Sequence, residues 1–297
     1  MIVLIHNDME LWDFMTEGLK SRDDFYDIPL NRYCSKLHRF FRKFCYNYHL
    51  PSWLVFDKEH RCILKGLKPG DKVVVSDYTK LCIFYAIRDL LCPGVELVLW
   101  LWNPIKDNDC LIKKISFLEL LGVKCCTFDR EDARLWNLKY LNTFYNMGRK
   151  DLTSKDNKFE YDFYFLGVIK DRGDLIAELQ TQLSSFKCLF VVPTQQEHYI
   201  TYADNIKNIK LSRCIIDIVQ FNQYDITLRP LESLACKRKL ITNNIHIKEY
   251  PFYSPNNIFI WGDDEINKLN IFLDSPFQDV DKEILEKYDI NYWLDHI

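Results

Sequence analysis

Short, continuous runs of apolar residues alternate with longer stretches of helical period in the first half of the chain. The runs MIVLIHN, DKVVVSD (71–77) and GVELVLWLWNP (94–104) predict buried strands. YTKLCIFYAIRDLLC predicts a helix, and CLIKKISFLELLGVKCCTFD predicts a helix and a strand with Gly122 at the helix C-cap. Continuous apolar strands that alternate with helices indicate a parallel sheet covered on both faces.

The pattern breaks at residues 146–160, NMGRKDLTSKDNKFE, which are polar and lack periodicity, and it then begins again. Strands are predicted at YDFYFLGV, KCLFVVP, CIIDIVQ, KLITNN and IFIWG. Helices are predicted at DLIAELQTQLSS, around 198–207, at 228–237 and from about 281 to 296. The second half therefore repeats the strand–helix alternation of the first half.

Two successive patterns of this kind predict an α/β fold with two Rossmann-like domains that face each other across a cleft. We place the first domain at 1–148, the second at 149–280, and a C-terminal helix at 281–297 that packs back towards the first domain. Such folds bind ligands between domains and outside the carboxyl ends of the strands. The candidate site residues are therefore sought in the loops that follow the strands.

Composition narrows the class of protein. Hydrophobic residues make up 48% of the 297 residues and the net charge is −3, which is typical of a globular protein and gives no support to nucleic acid binding. The eleven cysteines include no CxxC pair, and the seven histidines show no zinc-binding spacing, so no metal site is expected. Unpaired cysteines in apolar runs, without a signal peptide or a spanning segment, predict a soluble cytoplasmic protein.

The turn LGVIKDRGD follows a predicted strand and precedes a predicted helix. Gly167 stands where the backbone passes close to another group, and Lys170 and Arg172 project from the turn. Two cations beside a helix start can hold a diphosphate. The same turn is equally consistent with a solvated loop before a helix that starts at Asp171 or Asp174.

A second anion-binding element is predicted in IVQFNQYDITLRP. Thr227 is the expected N-cap of the next helix, and Pro230 lies in its first turn, where the missing N–H does no harm. The free backbone N–H groups of Thr227, Leu228 and Arg229, together with the Arg229 side chain, favour an anion.

Glu232 lies on the same predicted helix, at the edge of its apolar face. It can pair with Arg229 three residues earlier, which needs no ligand. It can instead accept two hydrogen bonds from a ribose diol, as acidic residues do in many nucleotide sites. The helix pattern leaves both alternatives open.

Several segments resemble a known family. LRPLESLACKRKLIT resembles the GT-B glycosyltransferase signature, in which a glutamate-bearing helix is followed by a small residue, a basic turn and a strand ending in Thr. FLGVIKDRGDLIAEL is similar to the opening of that family's nucleotide-binding domain. LVLWLWNPI, CTFDREDARLWNLKY and NNIHIKEYPFYSPNNIFIWGDD resemble small bacterial lipopolysaccharide core biosynthesis proteins of the RfaS (WaaS) type. The resemblance covers most of the chain after residue 70.

The resemblance implies a nucleotide-sugar-binding second domain and an acceptor-side first domain. It places Glu232 on the donor ribose, and the donor nucleotide among Gly167, Lys170, Arg172, Thr227, Leu228 and Arg229. One position departs from the pattern, because retaining members carry a carboxylate eight residues before this glutamate, where this chain has Tyr224. The stereochemistry therefore stays open. Candidates for the donor sugar or the acceptor are His6, Asn103, Asn222, Gln223 and Tyr224.

The chemistry of glycosyl transfer sets two further expectations. The departing nucleoside diphosphate has to be neutralised, and side-chain cations with helix N-termini can do this without a metal or a cofactor. An inverting enzyme also needs a base for the acceptor hydroxyl. Asp8 is our first candidate and Asp77 our second, since both follow predicted strands of the first domain; each can instead be a residue that caps a loop.

Residues 31–51, NRYCSKLHRFFRKFCYNYHLP, form the main basic segment, and aromatic residues alternate with its cations. The segment predicts an amphipathic helix with its aromatic side in the core. It can instead make a peripheral contact with the cytoplasmic face of the inner membrane, where a lipid-linked acceptor resides, or hold an anionic oligosaccharide.

The residues and the resemblance together predict a metal-independent glycosyltransferase. It would move a sugar from a nucleotide-sugar donor to a bacterial glycan or glycolipid acceptor such as lipopolysaccharide, lipooligosaccharide or capsule. Two alternatives stay open: a sugar-nucleotide epimerase of similar fold, and a catalytically inactive nucleotide-binding module of a polysaccharide assembly complex. The Tyr224 departure keeps the inactive module in consideration.

Overall fold

The computed structural model describes residues 1–7, 9–32, 35–76, 80–105, 108–153, 158–194, 199–220 and 223–297. The chain forms two compact units. Unit 1 comprises Met1–Leu141 with Leu294–Ile297, and unit 2 comprises Asn142–Trp293. The division falls shortly before the polar segment 146–160, in which Leu152 is fully buried.

Unit 1 contains a six-stranded parallel sheet in the order β2-β1-β3-β4-β5-β6. Its central strands are apolar along their whole length, since Val73, Val74 and Val75 are all fully buried. The strands are β1 (Ile2–His6), β2 (Phe25–Pro29), β3 (Lys72–Ser76), β4 (Glu96–Leu101), β5 (Lys124–Thr127) and β6 (Lys139–Tyr140). The helices are α1 (Glu10–Thr16), α2 (Lys36–Phe44), α3 (Ser52–Val55), α4 (Lys58–Gly66), α5 (Leu81–Arg88), α6 (Asp109–Leu120) and α7 (Arg130–Trp136).

Unit 2 contains a five-stranded parallel sheet in the order β11-β10-β9-β7-β8. Its strands are β7 (Tyr161–Leu166), β8 (Cys188–Val191), β9 (Ser212–Asp217), β10 (Lys239–Thr242) and β11 (Ile258–Ile260). Its helices are α8 (Gly173–Gln182), α9 (Tyr202–Lys210), α10 (Arg229–Ala235), α11 (Leu269–Asp274) and α12 (Lys282–Glu286), and α13 (Ile290–His296) ends in unit 1. The prediction of an α/β fold with two parallel-sheet, Rossmann-like units is confirmed.

The predicted C-terminal helix is divided in two. Between α12 and α13, the Asp289 carboxylate accepts hydrogen bonds from the backbone N–H groups of Asn291, at 2.9 Å, and Met147, at 2.9 Å. A side-chain acceptor of this kind starts a new helix rather than continuing the old one. The last residues lie in unit 1, where Lys139 Nζ donates to the His296 carbonyl at 2.5 Å.

Helix α2 has the opposite orientation to the one that its sequence predicts. Arg42 is buried, and its guanidinium donates to the Val55 and Leu30 carbonyls at 2.6 Å each. Leu37, Phe40 and Phe44 are exposed instead. The expectation that the aromatic side of this helix lies in the core is therefore wrong. Turning the rings inward would leave those two carbonyls without the guanidinium.

Candidate functional site

The carboxyl edge of the unit 2 sheet contains a topological switch point. The chain passes from β7 to β8 on one side and then returns to form β9 on the other side of β7. Open α/β sheets bind ligands at such switch points, outside the carboxyl ends of the strands.

Arg172 connects the two loops of the switch point. Its guanidinium donates to the carbonyl of Val168 after β7, at 2.5 Å, and to the carbonyl of Ile218 after β9. Among the described residues, no carboxylate forms an ion pair or a hydrogen bond with it. Removal from water lowers the pKa of Arg172, and the more distant carboxylates of Asp217 and Asp171 only partly offset this. The guanidinium is held by two backbone carbonyls and has no direct counter-charge in the described part of the chain.

The turn after β7 leaves little room for a side chain at Gly167, beside this guanidinium. A Cβ at Gly167 would lie 3.1 Å from Phe165 Cζ and 3.3 Å from Arg172 Nη2, which is tighter than ordinary contact. Lys170 is exposed and has a left-handed backbone with φ of 46°. The structure thus places Gly167, Lys170 and Arg172 in one turn directly before α8.

Asp217 ends β9 and interacts with the segment that leads into α10. Thr227 Oγ1 donates to Asp217 Oδ1 at 2.9 Å and accepts from the Arg229 backbone N–H at 3.1 Å. The predicted N-cap is displaced by one residue, because α10 begins at Arg229 and Leu228 takes the N-cap position. Asp217 Oδ2 is buried without a hydrogen-bond partner in the described part of the chain, and desolvation raises the pKa of this carboxyl to about 6.

Glu232 is fully buried, and both carboxylate oxygens have donors. Arg229 Nη1 donates to Oε2 in an ion pair. Oε1 accepts from the Tyr202 hydroxyl at 2.8 Å and from Asn205 Nδ2 at 3.1 Å. The hydroxyl of Tyr145 lies 3.0 Å from that of Tyr202. A ribose diol would reach Glu232 only by replacing the Tyr202 and Asn205 hydrogen bonds.

This network also positions the second guanidinium of the edge. Arg229 Nη2 donates to the carbonyl of Leu166, the last residue of β7, at 3.1 Å. Burial together with the Glu232 charge raises the pKa of both Tyr145 and Tyr202, so these hydroxyls stay neutral donors. The residues that complete the network, Tyr145, Tyr202 and Asn205, were not predicted as site residues, and no local sequence pattern marks them.

The three predicted positions before α10 have different environments. Asn222 lies outside the described residues. Gln223 Nε2 donates to the Asp225 carbonyl at 3.4 Å. Tyr224 stacks on the His246 ring, with centroids 3.8 Å apart, and its hydroxyl lies 3.1 Å from a Glu249 carboxylate oxygen. Glu249, which the sequence analysis did not select, thus brings a carboxylate to the side of Tyr224.

Unit 1 has its own switch point between β1 and β3. His6 at the end of β1 is fully buried, its Nε2 lies 2.7 Å from Asp27 Oδ1, and its ring stacks on Trp12. Asn103, after β4, is exposed. The two predicted bases, Asp8 and Asp77, lie outside the described residues, so the geometry of the predicted base stays a prediction.

The described part of the chain contains no group of three or more His, Cys, Asp or Glu side chains placed to hold a metal ion. None of the helices in the described ranges is both long and apolar enough to cross a bilayer.

We predict that Asp217→Asn stabilises the protein at neutral pH. The folded-state pKa of about 6 lies above the reference value of 3.8, so the ionised carboxylate disfavours the folded state above pH 6. At about 1.4 kcal/mol per pKa unit, the gain on substitution is up to about 3 kcal/mol at pH 8 and disappears below about pH 4. Urea unfolding across this pH range measures it.

Asp13→Asn is the control, and its effect on stability at neutral pH should be opposite to that of Asp217→Asn. Two hydrogen bonds from Arg32, at 2.7 and 2.6 Å, lower the pKa of Asp13. That carboxylate stabilises the folded state above its unfolded pKa, and the contribution is lost as the pH falls through the folded value. A stability profile for Asp217→Asn that runs parallel to that of Asp13→Asn would show that Asp217 is not destabilised by burial.

Comparisons with known proteins give matches to solved structures only. No family model matches the chain, and no curated protein matches it. Accessory secretory proteins 1, 2 and 3 of Streptococcus pneumoniae match with 12% identity and a TM-score of 0.44, over 80% of this chain and 52% of that chain. The GtfA/B complex matches with 11% identity and a TM-score of 0.37, over 82% of this chain and 53% of that chain. The chain spans about half the length of these structures, and the resemblance to lipopolysaccharide core proteins stays a prediction.

Proposed function

We propose that the chain is a glycosyltransferase that binds a nucleotide-sugar donor at the carboxyl edge of the unit 2 sheet. The observation that carries this proposal is Arg172, whose guanidinium is fixed at the switch point by two backbone carbonyls without an ion-paired carboxylate among the described residues. A buried or half-buried cation without a counter-charge is unfavourable by itself. A phosphate group of the donor would supply that charge.

The neighbouring groups extend the proposed phosphate site. Lys170 brings a second cation in the same turn, and the ten-residue helix α8 begins directly after Arg172 with its free backbone N–H groups. Two cations and a helix start suit a diphosphate, and they would neutralise the departing nucleoside diphosphate without a metal ion. Thr227, Leu228 and Arg229 would line the other side of this site.

The role of Glu232 in this proposal is twofold. Its carboxylate holds the Arg229 guanidinium against the end of β7, which sets the shape and the charge of the phosphate site. The ribose contact remains part of the proposal, with the condition that the ribose hydroxyls take over from Tyr202 and Asn205. A carboxylate that exchanges donors keeps its hydrogen bonds, so the exchange carries a smaller cost than burial of a bare charge.

The remaining parts of the proposal concern the acceptor. Unit 1 would bind a bacterial surface glycan, with Asp8 or Asp77 as the base and His6 and Asn103 near the reacting sugars. The protein would act in the cytoplasm on an acceptor that is carried by a lipid. Lipopolysaccharide, lipooligosaccharide and capsule are the acceptor classes proposed.

Calorimetric titration with UDP, CMP and a dTDP-sugar tests the donor site. We expect Arg172→Gln to weaken the affinity for the preferred nucleotide by about tenfold to a hundredfold, because a charge-assisted hydrogen bond contributes about 1.5–3 kcal/mol. Nucleotide affinity that survives this substitution unchanged would reject the phosphate role of Arg172. Absence of affinity for every nucleotide in the unsubstituted protein would reject the donor site itself.

Arg238→Gln is the matched control. Arg238 also donates to two backbone carbonyls, those of Lys237 and Lys210, at 3.1 Å each. It precedes β10, however, and therefore lies at the amino end of the same sheet. Nucleotide affinity should survive this control. Equal losses in both variants would indicate a general loss of structure, and binding without hydrolysis or transfer from any donor would favour the inactive binding module.

A further inference from the structure

Unit 1 exposes several large apolar side chains on α2 and in the segment that follows it, which we call the α2 surface. Leu37, Phe40 and Phe44 follow one face of α2, and Tyr48 and Trp53 follow in the next turns of the chain; each is more than half exposed. The Phe40 and Phe44 rings lie 5.0 Å apart, and His38 Nε2 lies 3.1 Å from the Trp53 carbonyl, which joins α2 to α3. Apolar side chains gathered in this way mark an interaction site, whereas single exposed ones do not.

The orientation of α2 is determined by its buried face. Ser35 caps the helix by accepting from the His38 backbone N–H at 3.3 Å, and Arg42 anchors it through the Val55 and Leu30 carbonyls. Because Arg42 occupies the inner side, the rings at 40 and 44 have to point outward. The exposure of the α2 surface therefore follows from a specific polar anchor and not from loose packing.

The segment that carries this surface has charged side chains of one sign. Residues 28–56 contain no aspartate or glutamate and five arginines and lysines, although the whole chain has a net charge of −3. Lys36 and Lys43 are both exposed on α2, and Lys43 Nζ lies 5.4 Å from the centre of the Phe44 ring. Cations that flank exposed rings complement an anionic surface with an apolar interior.

We infer that the α2 surface docks on a bilayer that contains anionic lipid. Leu37, Phe40 and Phe44 would enter the boundary between headgroups and acyl chains, where Trp53 and Tyr48 also find a favourable position. Lys36 and Lys43 would contact the lipid phosphates and extend their aliphatic stems along the apolar boundary. An anionic oligosaccharide would also pair with these lysines, but it offers no apolar interior for Leu37, Phe40 and Phe44, which are each more than half exposed.

This inference deepens the proposed function. It rests on that function in one respect, because the lipid-borne acceptor explains why the protein would bind a membrane. Vesicle binding by the α2 surface requires no nucleotide. The two proposals can therefore fail separately, since one is measured with lipid alone and the other with nucleotide alone.

Cosedimentation of the full chain with vesicles tests the inference. We expect binding to vesicles of phosphatidylcholine with about one third phosphatidylglycerol, weaker binding in high salt, and little binding to pure phosphatidylcholine. Lys36→Gln with Lys43→Gln should weaken the binding roughly 30-fold, from about 1 kcal/mol per lysine. Phe40→Ser with Phe44→Ser should weaken it by at least about tenfold.

The matched control changes exposed apolar residues elsewhere. Leu120 on α6 and Ile271 on α11 are both more exposed than Phe40 and Phe44, so Leu120→Ser with Ile271→Ser removes comparable apolar surface away from α2. Vesicle affinity should be unchanged in this variant, and nucleotide affinity should be unchanged in all three variants.

Several results would overturn the inference. They are the absence of binding to anionic vesicles, equal binding to neutral and anionic vesicles, and an equal loss of binding in the Leu120–Ile271 control. Self-association that the phenylalanine substitutions abolish, in a protein that does not bind vesicles, would identify the α2 surface as a contact between copies. Tight binding of an anionic oligosaccharide in place of vesicles would assign the surface to the glycan.

Discussion

Replacing Glu232 with alanine is expected to lower the free energy of unfolding by about 3–5 kcal/mol, the usual cost of removing one partner of a buried ion pair. The Glu232 side chain is fully buried, and that of Arg229 is only 19% exposed. Without the carboxylate, the hydrogen-bond partners of Arg229 among the described residues are all neutral, as is the Leu166 carbonyl, and Tyr202 and Asn205 lose their shared acceptor. Denaturation in urea, with the slope checked for two-state behaviour, measures the loss.

Glu131→Ala is the matched control for this prediction. Glu131 and Arg134 have the same three-residue spacing within a helix, but both side chains are largely exposed. Stability should be unchanged within error, because exposed ion pairs contribute little. Replacing both buried partners, with Arg229→Met and Glu232→Leu, should cost less than Glu232→Ala alone, since no charge is left unpaired. A double variant less stable than the single variant would contradict the ion-pair explanation.

Because Glu232 also supports folding, its alanine variant cannot report on a ribose contact by affinity alone. Tyr202→Phe is more informative, because it removes one donor to Glu232 and leaves the carboxylate in place. If the ribose takes over the position of that hydroxyl, nucleotide affinity should rise or stay equal in this variant. A fall in affinity would instead indicate that Tyr202 itself is needed in the bound state.

Replacing Arg42 with alanine is expected to cost about 4 kcal/mol of stability. The change leaves the Val55 and Leu30 carbonyls without the guanidinium, at about 1–3 kcal/mol for each unsatisfied buried group, and it removes the 3.2 Å hydrogen bond to Asn31 Oδ1. Arg42→Lys should recover only part of the loss, because one ammonium cannot reproduce the fork of the guanidinium. Chemical denaturation of the full chain provides the measurement.

Arg39→Ala is the control on the same helix. Arg39 is exposed and donates to the Asn31 carbonyl at 2.8 Å, so water can replace it. Its substitution should change stability little. If Arg39→Ala and Arg42→Ala destabilise the protein equally, the inward arginine is not the anchor that sets the orientation of α2.

The turn at Lys170 and Arg172 shows which parts of the candidate site local sequence patterns can predict. Its position between a strand and a helix follows from the apolar run before it and the helical period after it, and the structure has β7 and α8 at these places. The Ile218 partner of Arg172 could not be predicted, because its carbonyl lies 46 residues away along the chain. The strand order that makes them neighbours is a property of the folded sheet.

Glu232 shows the same limit for a side chain. The pairing of Glu232 with Arg229 is local, and the helical period predicts it as one of two alternatives, the other being a ribose contact. The donors Tyr202 and Asn205 belong to α9 and precede Glu232 by 30 and 27 residues. No sequence pattern around Glu232 predicts them. Whether a carboxylate is free for a ligand depends on partners of this kind.

The sequence by itself determined the α/β class, the two parallel sheets and the turn that carries Lys170 and Arg172. Strands covered on both faces have to be apolar along their length, and this requirement is visible in the order of residues. Only the tertiary structure decided that Arg42 lies inside and the α2 rings outside, that Glu232 is enclosed, and that one oxygen of Asp217 has no hydrogen-bond partner among the described residues. Those outcomes depend on which buried carbonyls and carboxylates accept hydrogen bonds from distant segments of the chain. Hydrogen bonds between distant segments produce no periodic pattern in the sequence, so they cannot be predicted from it.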